Sequence, residues 1–361
     1  MRNRLKALDA TLLIPMLLLV LMGLLTLFSA ARGTPQSTIW MKQGVWFFLG
    51  FLLMIWVASV PPRHLFRMGL PAYLFGLLLL AAVFVVGKRI GGAQRWLEVG
   101  GLTFQPSELM KWITLLFVAH RLGSRPPDQL TAWDFIGAIG LVAFPMLLVF
   151  KQPDLGMALS FLPILLIIPL LKGLRARWVA LGLVACVGFG WVAWNHLLKP
   201  YQKQRVLTML DPDADLQGKG YQTNQSRIAI GAGGILGQGF TAGSQTQLNF
   251  LPVKTTDFVF SVWAEERGFL GVLMALGLFG WLLTRILDIG RDARSAAELY
   301  FCVGACATLS LQVLVNVGMV VGLLPNKGMV LPFFSAGGSS TLSYFLGLGV
   351  VMAVAYRTKV K

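Results

Sequence analysis

The chain has 361 residues, of which 56% are hydrophobic and 13% are charged, and its formal net charge at pH 7 is +16. Soluble domains carry roughly 25% charged residues. The composition therefore excludes a soluble protein and indicates an integral membrane protein.

Apolar segments long enough to cross a membrane recur along the chain, since ~30 Å of hydrocarbon needs about 20 helical residues. We predict an all-α bundle of about ten transmembrane helices. They cover residues 11–30, 41–60, 69–87, 107–121, 134–150, 154–171, 177–195, 258–286, 297–323 and 335–356. A large extracytoplasmic loop, about residues 199–257, separates the seventh helix from the eighth, and its spaced aromatic residues favour an ordered structure.

Basic residues gather at alternate ends of these helices, which predicts the orientation of the chain. With the N-terminus inside, one side receives Arg2, Arg4, Lys6, Arg63, Arg67, Arg121, Arg125, Lys172, Arg175, Arg177, Arg285, Arg291, Arg294, Arg357, Lys359 and Lys361. This positive-inside pattern places both termini in the cytoplasm and makes residues 1–361 a single polytopic membrane domain. It assigns the excess charge to orientation and to anionic lipids, and it argues against nucleic acid as a partner.

Neither a disulfide framework nor a zinc site is predicted, because the cysteines lie in apolar helices and the histidines are scattered. Two non-helical segments are more informative: residues 88–106 and the large loop, both assigned to the outer face. Irregular backbone near a membrane must line a cavity or be buried in protein, so we expect these segments to meet over the outer mouth of the bundle. The glycine-rich stretch 231–243 lacks the phosphate-binding loop pattern and favours flexible turns.

Acidic residues at the outward ends of the helices are functional candidates, because a charge inside a membrane is costly. Glu108 and Lys111 are three residues apart on one helical face, so an internal ion pair is as plausible as contact with a substrate. Asp154 follows Pro153 at a helix start, where an ordinary N-cap is at least as good an interpretation.

Asp257 precedes the eighth predicted helix, and the simplest interpretation is again an N-cap. However, Thr255 or Thr256 could cap the helix without placing an anion there. A carboxylate between apolar neighbours and a helix start suits a general base near neutral pH. Glu265 lies eight residues further on, about 12 Å along a helix, which disfavours a direct carboxylate pair with Asp257.

Basic residues give the large loop a positive character: Lys203, Arg205, Lys219, Arg227 and Lys254. For any one of them a solvated, lipid-contacting position is the simpler interpretation. Together they favour an anionic substrate at the outer leaflet, because guanidinium and ammonium groups bind phosphate oxygens.

Several long motifs in a fixed order carry a family resemblance across nearly the whole chain. They are GAQRWL (92–97), FQPSEL (104–109), QPDLG (152–156), RVLTMLDPDAD (205–215), GYQTNQSRIAIGAGGILGQG (220–239), FLPVKTTDFVFSVWAEERGFLG (250–271) and LPFFSAGGSS (331–340). With these motifs the chain resembles the SEDS family of shape, elongation, division and sporulation proteins. RVLTML, SRIAIG and GSQTQLNFLP resemble the elongation branch, RodA, whereas LPNKG (324–328) resembles the division branch, FtsW. Ala336 stands where many relatives of the family have tyrosine.

The resemblance implies a peptidoglycan glycosyltransferase of the bacterial inner membrane that polymerises lipid II at the outer leaflet during elongation. The family's essential aspartate falls on Asp257, which would act as the catalytic residue. Its substrate-binding positions fall on Glu108, Lys111, Asp154 and the Arg95-Trp96 pair. We add Arg205, together with Lys111, as a candidate to stabilise the departing pyrophosphate. A divalent cation could share that role, although the sequence shows no clean ligand set.

No penicillin-binding SxxK motif with its partner motifs occurs in the chain. The resemblance therefore implies a separate class B penicillin-binding protein in the membrane as the transpeptidase partner. Three alternatives stay open: a lipid II flippase, a glycosyltransferase of the division branch, and a non-catalytic scaffold. A flippase should place charged residues near the midplane, and the sequence shows no pair of broken helices.

Overall fold

The computed structural model describes residues 9–90, 93–126, 129–165, 219–251, 253–325 and 328–359, with isolated positions between 184 and 203. The elements, in chain order, are α1 (Ala10–Ala31), α2 (Ile39–Ser59), α3 (Pro62–Arg67), α4 (Gly69–Val86), β1 (Lys88–Ile90), β2 (Ala93–Val99), β3 (Leu102–Phe104), α5 (Pro106–Gly123), α6 (Ala132–Lys151), α7 (Leu155–Leu159), α8 (Lys219–Gly233), α9 (Ser244–Gln247), α10 (Val259–Arg291), α11 (Ala296–Val320) and α12 (Gly338–Lys359).

Eight predicted membrane helices are confirmed as α1, α2, α4, α5, α6, α10, α11 and α12. Seven are long and apolar enough to cross a membrane, and the exception, α5, is 18 residues long but carries Glu108, Lys111 and Arg121. The sixth predicted helix begins at α7, and a short apolar helix is described over Leu155–Leu165. Residues 166–171, most of the seventh predicted helix and Arg205 lie outside the described residues. The chain is thus a helical membrane protein, and eight of the ten predicted helices are observed.

Helix α12 lies at the centre of the bundle and packs against α2 and α5. In an 18-residue stretch of α12, 83% of the residues are buried inside the protein, whereas the corresponding fraction in the peripheral helix α2 is 28%. Apolar side chains cover the outer surface, among them Trp56 and Leu78, which are 65% and 68% exposed. An apolar outer surface over satisfied helical backbone is what a surrounding hydrocarbon requires.

The segment between α4 and α5 is non-helical, as predicted, and it forms a three-stranded antiparallel sheet in the order β1-β2-β3. Val99 pairs with Leu102 across a two-residue turn, in which Gly100 and Gly101 have φ of 59° and 79°. Positive φ at both central residues is the requirement of a tight hairpin turn, which glycine meets without strain. The sheet carries Arg95 and Trp96 on its middle strand, next to the start of α5.

Helix α10 is interrupted at Gly268, where φ is 61° and ψ is −163°. The prediction of one continuous helix here is therefore wrong. At the break, the backbone N–H groups of Phe269 and Leu270 donate to the carbonyl oxygens of Gly234 and Ile235, at 2.9 and 3.2 Å. The glycine-rich stretch is thus ordered, and its carbonyl oxygens accept hydrogen bonds from the backbone N–H groups exposed at the break in α10.

Close packing explains the glycines of that stretch. A Cβ on Gly233 would lie 2.2 Å from the carbonyl oxygen of Ala264, and one on Gly237 would lie 2.2 Å from that of Glu266. No side chain fits at these distances, so glycine brings the loop backbone onto the first part of α10. This contact fixes the chain that leads into residues 253–258.

Candidate active site

A cavity of about 380 Å³ opens where the sheet, α5, α7, α11 and the segments before α10 and α12 meet. Five of the predicted site residues line it: Arg95, Trp96, Glu108, Asp154 and Asp257. The structure therefore brings residues from three distant parts of the sequence, around positions 95–108, 154 and 257, into one place. As predicted, the sheet segment and the end of the large loop meet at this cavity.

Asp257 is half-buried and lies just before α10. The helix begins at Val259 and its N-cap is Phe258, which makes no side-chain capping bond. The interpretation of Asp257 as an N-cap is therefore wrong. Across the cavity, Gly328 has a φ of 63°, and a Cβ there would lie 3.4 Å from Oδ2 of Asp257. Glycine at this position keeps the space beside the carboxylate open.

The backbone around Asp257 is held by buried polar side chains. Nδ2 of Asn316 donates to the carbonyl oxygens of both Asp257, at 3.0 Å, and Met329, at 2.8 Å. The hydroxyl of Ser335 donates to the carbonyl oxygen of Thr256 at 2.6 Å. Because side chains locked by packing and hydrogen bonds position a reactive group well, this arrangement suits a residue that needs an accurate location.

Asp154 combines a structural role with a place in the cavity. It is the N-cap of α7, accepting from the backbone N–H of Met157 at 3.1 Å, as the capping interpretation requires. Its Oδ2 also accepts from Nη1 of Arg95 at 3.0 Å and from Nε2 of Gln105 at 2.9 Å. The buried carboxylate thus fixes the sheet to the helical bundle and orients the Arg95 guanidinium.

Glu108 and Lys111 form an internal ion pair, one of the two interpretations left open by the sequence, with 3.0 Å between Nζ and Oε2. Both side chains are buried, and Nζ of Lys111 also lies 5.2 Å from the ring centroid of Tyr344. Glu108 lines the cavity, whereas Lys111 lies behind it and is not among the lining residues. A direct contact of Lys111 with a departing pyrophosphate is therefore not supported by this arrangement.

The basic residues of the large loop do not all face the cavity. Lys254 is buried and donates to the carbonyl oxygen of Thr246 and to Oδ1 of Asn249, at 2.6 and 2.8 Å. Burial lowers the pKa of Lys254, and the nearby Glu265 carboxylate partly opposes that shift. Lys254 thus stabilises its own loop. Arg205 lies outside the described residues, so its role stays a prediction.

Glu265 likewise has a structural environment. Its carboxylate accepts from the backbone N–H groups of Gln245 and Thr246, at 2.7 and 3.1 Å, and from the Thr246 hydroxyl at 2.6 Å. These bonds fix the short helix α9 onto α10. These hydrogen-bond partners of Glu265 all lie on α9, and the absence of a carboxylate pair with Asp257 stays a prediction from the residue spacing.

Several residues of the cavity were not predicted from the sequence. Gln312 lines it and lies one turn before Asn316 on α11, and Gln105, Ser339 and Ser340 complete the wall between the sheet and α12. The available signal was the pair of amide side chains four residues apart within an apolar helix. Polar side chains within membrane helices usually serve an interhelical or functional contact.

Within the part of the chain that the structure describes, no group of three or more His, Cys, Asp or Glu residues could hold a metal ion. The cavity instead combines the carboxylate of Asp257 with hydrogen-bond donors on the sheet, Arg95 and Trp96. A half-buried carboxylate can accept a proton, and the guanidinium and indole N–H groups can bind an anion. This combination suits a reaction in which a hydroxyl loses its proton and a charged group departs.

Comparison with known proteins identifies relatives over almost the full length. Residues 8–360 match the family model of FtsW, RodA and SpoVE, described as cell cycle protein. Peptidoglycan glycosyltransferase MrdB of Escherichia coli K12 is 38% identical, over 96% of this chain and 93% of that protein. Probable peptidoglycan glycosyltransferase FtsW of Coxiella burnetii is 37% identical, over 97% of each.

Two solved structures are also similar to this chain. One is a chain from a study of how a peptidoglycan synthase complex coordinates polymerization and crosslinking. It has a TM-score of 0.83 and 36% identity, and the match covers 98% of this chain and 99% of that one. The other is the rod shape determining protein RodA of Thermus thermophilus, with a TM-score of 0.73, 33% identity and 98% coverage of each chain.

Proposed function

Because the chain belongs to the FtsW, RodA and SpoVE family of cell cycle proteins, the SEDS family, we propose that it is a peptidoglycan glycosyltransferase. It polymerises lipid II into β-1,4-linked glycan strands, and its similarity to RodA and MrdB supports a role in cell elongation. The observation that carries the proposal is the single cavity that joins Asp257 to Arg95, Trp96, Glu108 and Asp154.

In the proposed mechanism, Asp257 accepts the proton of the acceptor GlcNAc 4-hydroxyl as its oxygen attacks the anomeric carbon of the donor muramic acid. The new C–O bond forms on the β face while the bond to the pyrophosphate oxygen breaks on the α face. Undecaprenyl pyrophosphate leaves with the bonding electrons, so the configuration at the anomeric carbon inverts. A general base must lie within hydrogen-bond reach of the hydroxyl. The hydrogen bonds from Asn316 and Ser335 to the backbone of residues 256–257 hold Asp257 in such a position.

The leaving group needs positive or hydrogen-bonding groups, because charge grows on the pyrophosphate as the bond breaks. Arg95 is the described cation that lines the cavity, and its pairing with Asp154 leaves its remaining N–H groups for an anion. Arg205 is the candidate from the large loop. Glu108 and Lys111 support the cavity wall, and through them α5 keeps its position against α12.

We place this chemistry at the outer leaflet of the bacterial inner membrane, with both termini in the cytoplasm. The helix ends on the side away from the cavity include the positively charged residues predicted to face inward, among them Arg285 and Arg357. These two arginines form ion pairs with Asp9 and Glu298, with nitrogen–oxygen distances of 2.7 and 2.5 Å. Anionic lipids are the expected counterpart of the remaining basic side chains.

A class B penicillin-binding protein is the proposed membrane partner, because cross-linking needs a transpeptidase and the sequence carries no such motif. Similarity to a chain of a peptidoglycan synthase complex supports such an assembly.

A lipid II flippase remains the second candidate, since the break in α10 at Gly268 is a feature that transporters use at their binding sites. Here, however, the glycine-rich stretch fills the break, and Gly268 does not line the cavity. The cavity itself lies at one end of the bundle. Both observations favour the transferase.

Purified protein, alone and with its penicillin-binding partner, should convert labelled lipid II into glycan chains, and Asp257→Ala should make none while melting at the wild-type temperature. Polymer from the folded variant would assign the base to another residue. Absence of polymer under every condition, together with lipid II crossing protein-containing vesicles, would establish the flippase instead.

A further inference from the structure

Three residues that line the cavity each carry a buried polar atom with no hydrogen-bond partner among the residues the structure describes: Nε of Arg95, Nε1 of Trp96 and Oε1 of Gln312. Buried polar atoms are nearly always paired, so each of these atoms needs an explanation. Two are donors on the sheet and fit an anion, in keeping with the proposed leaving group. The third is an acceptor on α11 and has no role in the mechanism so far.

Gln312 is rigidly placed close to the proposed base. Its side chain is only 1% exposed, and it lies on α11 one turn before Asn316, whose side chain holds the carbonyl oxygen of Asp257. Residues four apart on a helix lie on the same face, about 5–6 Å from each other. The unpaired carbonyl of Gln312 therefore lies in the wall of the cavity, deeper in the bundle than the backbone of Asp257.

The same helix provides an internal comparison. Oγ1 of Thr308, one turn before Gln312, is also buried without a partner among the described residues, but Thr308 does not line the cavity. A polar atom of this kind is a cost to the fold unless a water molecule reaches it. Gln312 differs in that its side chain lines the cavity.

We propose that Gln312 is a substrate-binding residue whose side-chain carbonyl accepts a hydrogen bond from an amide N–H or hydroxyl group of the sugar beside Asp257. The proposal rests on the proposed function, because it takes the glycan part of lipid II as the ligand. A site that hydrogen-bonds a substrate donor discriminates strongly against ligands lacking that donor. In this proposal Gln312 recognises the sugar of lipid II, whereas Arg95 and Trp96 bind its pyrophosphate.

The test compares the binding of two ligands, lipid II and undecaprenyl pyrophosphate, to the full-length protein in nanodiscs. Undecaprenyl pyrophosphate carries the lipid and the phosphates but no sugar. Gln312→Met keeps the length of the side chain and removes its acceptor, so it should weaken lipid II binding about tenfold. It should leave the affinity for undecaprenyl pyrophosphate unchanged.

Two further variants separate binding from a structural role. Thr308→Val removes the neighbouring unpaired atom and should change neither affinity. Gln312→Glu keeps an oxygen acceptor at the same place, so its affinity ratio for lipid II over undecaprenyl pyrophosphate should exceed that of Gln312→Met. Thermal stability of Gln312→Met should equal or exceed that of the wild type, because an unpaired buried acceptor has been removed.

Unchanged lipid II affinity in Gln312→Met, or an equal loss for both ligands, would overturn the proposal. If Gln312→Met does not fold, equal affinity ratios in wild type and a folded Gln312→Leu would overturn it in the same way. The readout is binding and not turnover. A protein that binds lipid II through Gln312 but makes no polymer would therefore refute the proposed function and leave this inference standing.

Discussion

Asn316→Leu should reduce turnover far more than substrate binding. Asn316 is fully buried and donates from one nitrogen to two carbonyl oxygens, those of Asp257 and Met329. It thereby ties the segment before α10 to the segment before α12. Leucine has a similar volume and no donor, so the substitution removes both bonds without opening a large cavity.

The loss of these two hydrogen bonds sets the loss of stability in Asn316→Leu. Each buried carbonyl left without its donor costs about 1–3 kcal/mol, so the variant should lose about 2–6 kcal/mol of stability. The loss of turnover follows from displacement of Asp257. A displacement of a reacting group by ~1 Å can lower the rate about 100-fold, and Asp257 would be free to move by this amount.

Steady-state polymerisation of labelled lipid II provides the assay, with kcat and KM determined separately. Asn316 acts through the backbone of Asp257, so kcat should fall about 100-fold while KM stays within about threefold of the wild-type value. Thr308→Val on the same helix is the matched control and should leave both constants unchanged. A folded Asn316→Leu with wild-type kcat, or one that changes only KM, would refute the positioning role.

Three further predictions concern the support of the site. Glu108→Gln and Lys111→Met should each destabilise the protein by about 3–5 kcal/mol, because each leaves a buried charge alone, and the double variant should lose less than their sum; additive losses in denaturation experiments would contradict the pairing. Gly237→Ala should lower the melting temperature much more than Gly234→Ala, since both glycines have positive φ but a Cβ clashes only at Gly237; equal effects would show that packing on α10 is unimportant. The lowered pKa of Lys254 means that, at alkaline pH up to about 10.4, the unfolded chain binds more protons than the folded one. Stability should rise with pH in that window, and a rise of the same size in Lys254→Met would assign it to another group.

The membrane helices were predictable because the hydrophobic pattern alone determines them. A run of apolar residues long enough for the bilayer has no other stable structure in lipid than a helix or a closed barrel. Predicted and observed ends differ by a few residues, as for α10, predicted to span 258–286 and observed over Val259–Arg291. Even α5 was recognised despite its charges, since Pro106 and Glu108 mark a helix start.

The sheet and the break in α10 could not be predicted, because both depend on contacts between distant residues. Gly268 directly follows Glu265, Glu266 and Arg267 within the predicted helix, and a single glycine there is compatible with an unbroken helix. The break is stable because the carbonyl oxygens of Gly234 and Ile235, more than thirty positions earlier, accept hydrogen bonds from the backbone N–H groups that the break leaves without helical partners. The glycines of 231–243 therefore looked like flexible turns when their true role is close packing.

The carboxylates of the site were conspicuous in the sequence, and their partners were not. Asp257, Asp154 and Glu108 are rare acids in apolar surroundings, so the cost of burying charge identified them. The Arg95 partner of Asp154 is 59 residues away in the sequence. Gln312 and Asn316 carry no charge, and an amide in a membrane helix can serve packing as readily as function. Their importance depends on which atoms lie opposite them.

The most direct test of the central claim is a single-turnover measurement of glycan formation by Asp257→Asn, with lipid II binding measured on the same preparation. Asparagine keeps the shape of the side chain and cannot accept the hydroxyl proton. If Asp257 is the general base, the variant should bind lipid II with wild-type affinity and form no β-1,4 linkage, whereas Asp154→Asn, which weakens the attachment of the sheet, should retain some turnover. Glycan strands made by Asp257→Asn at the wild-type rate would contradict the assignment of the general base to Asp257.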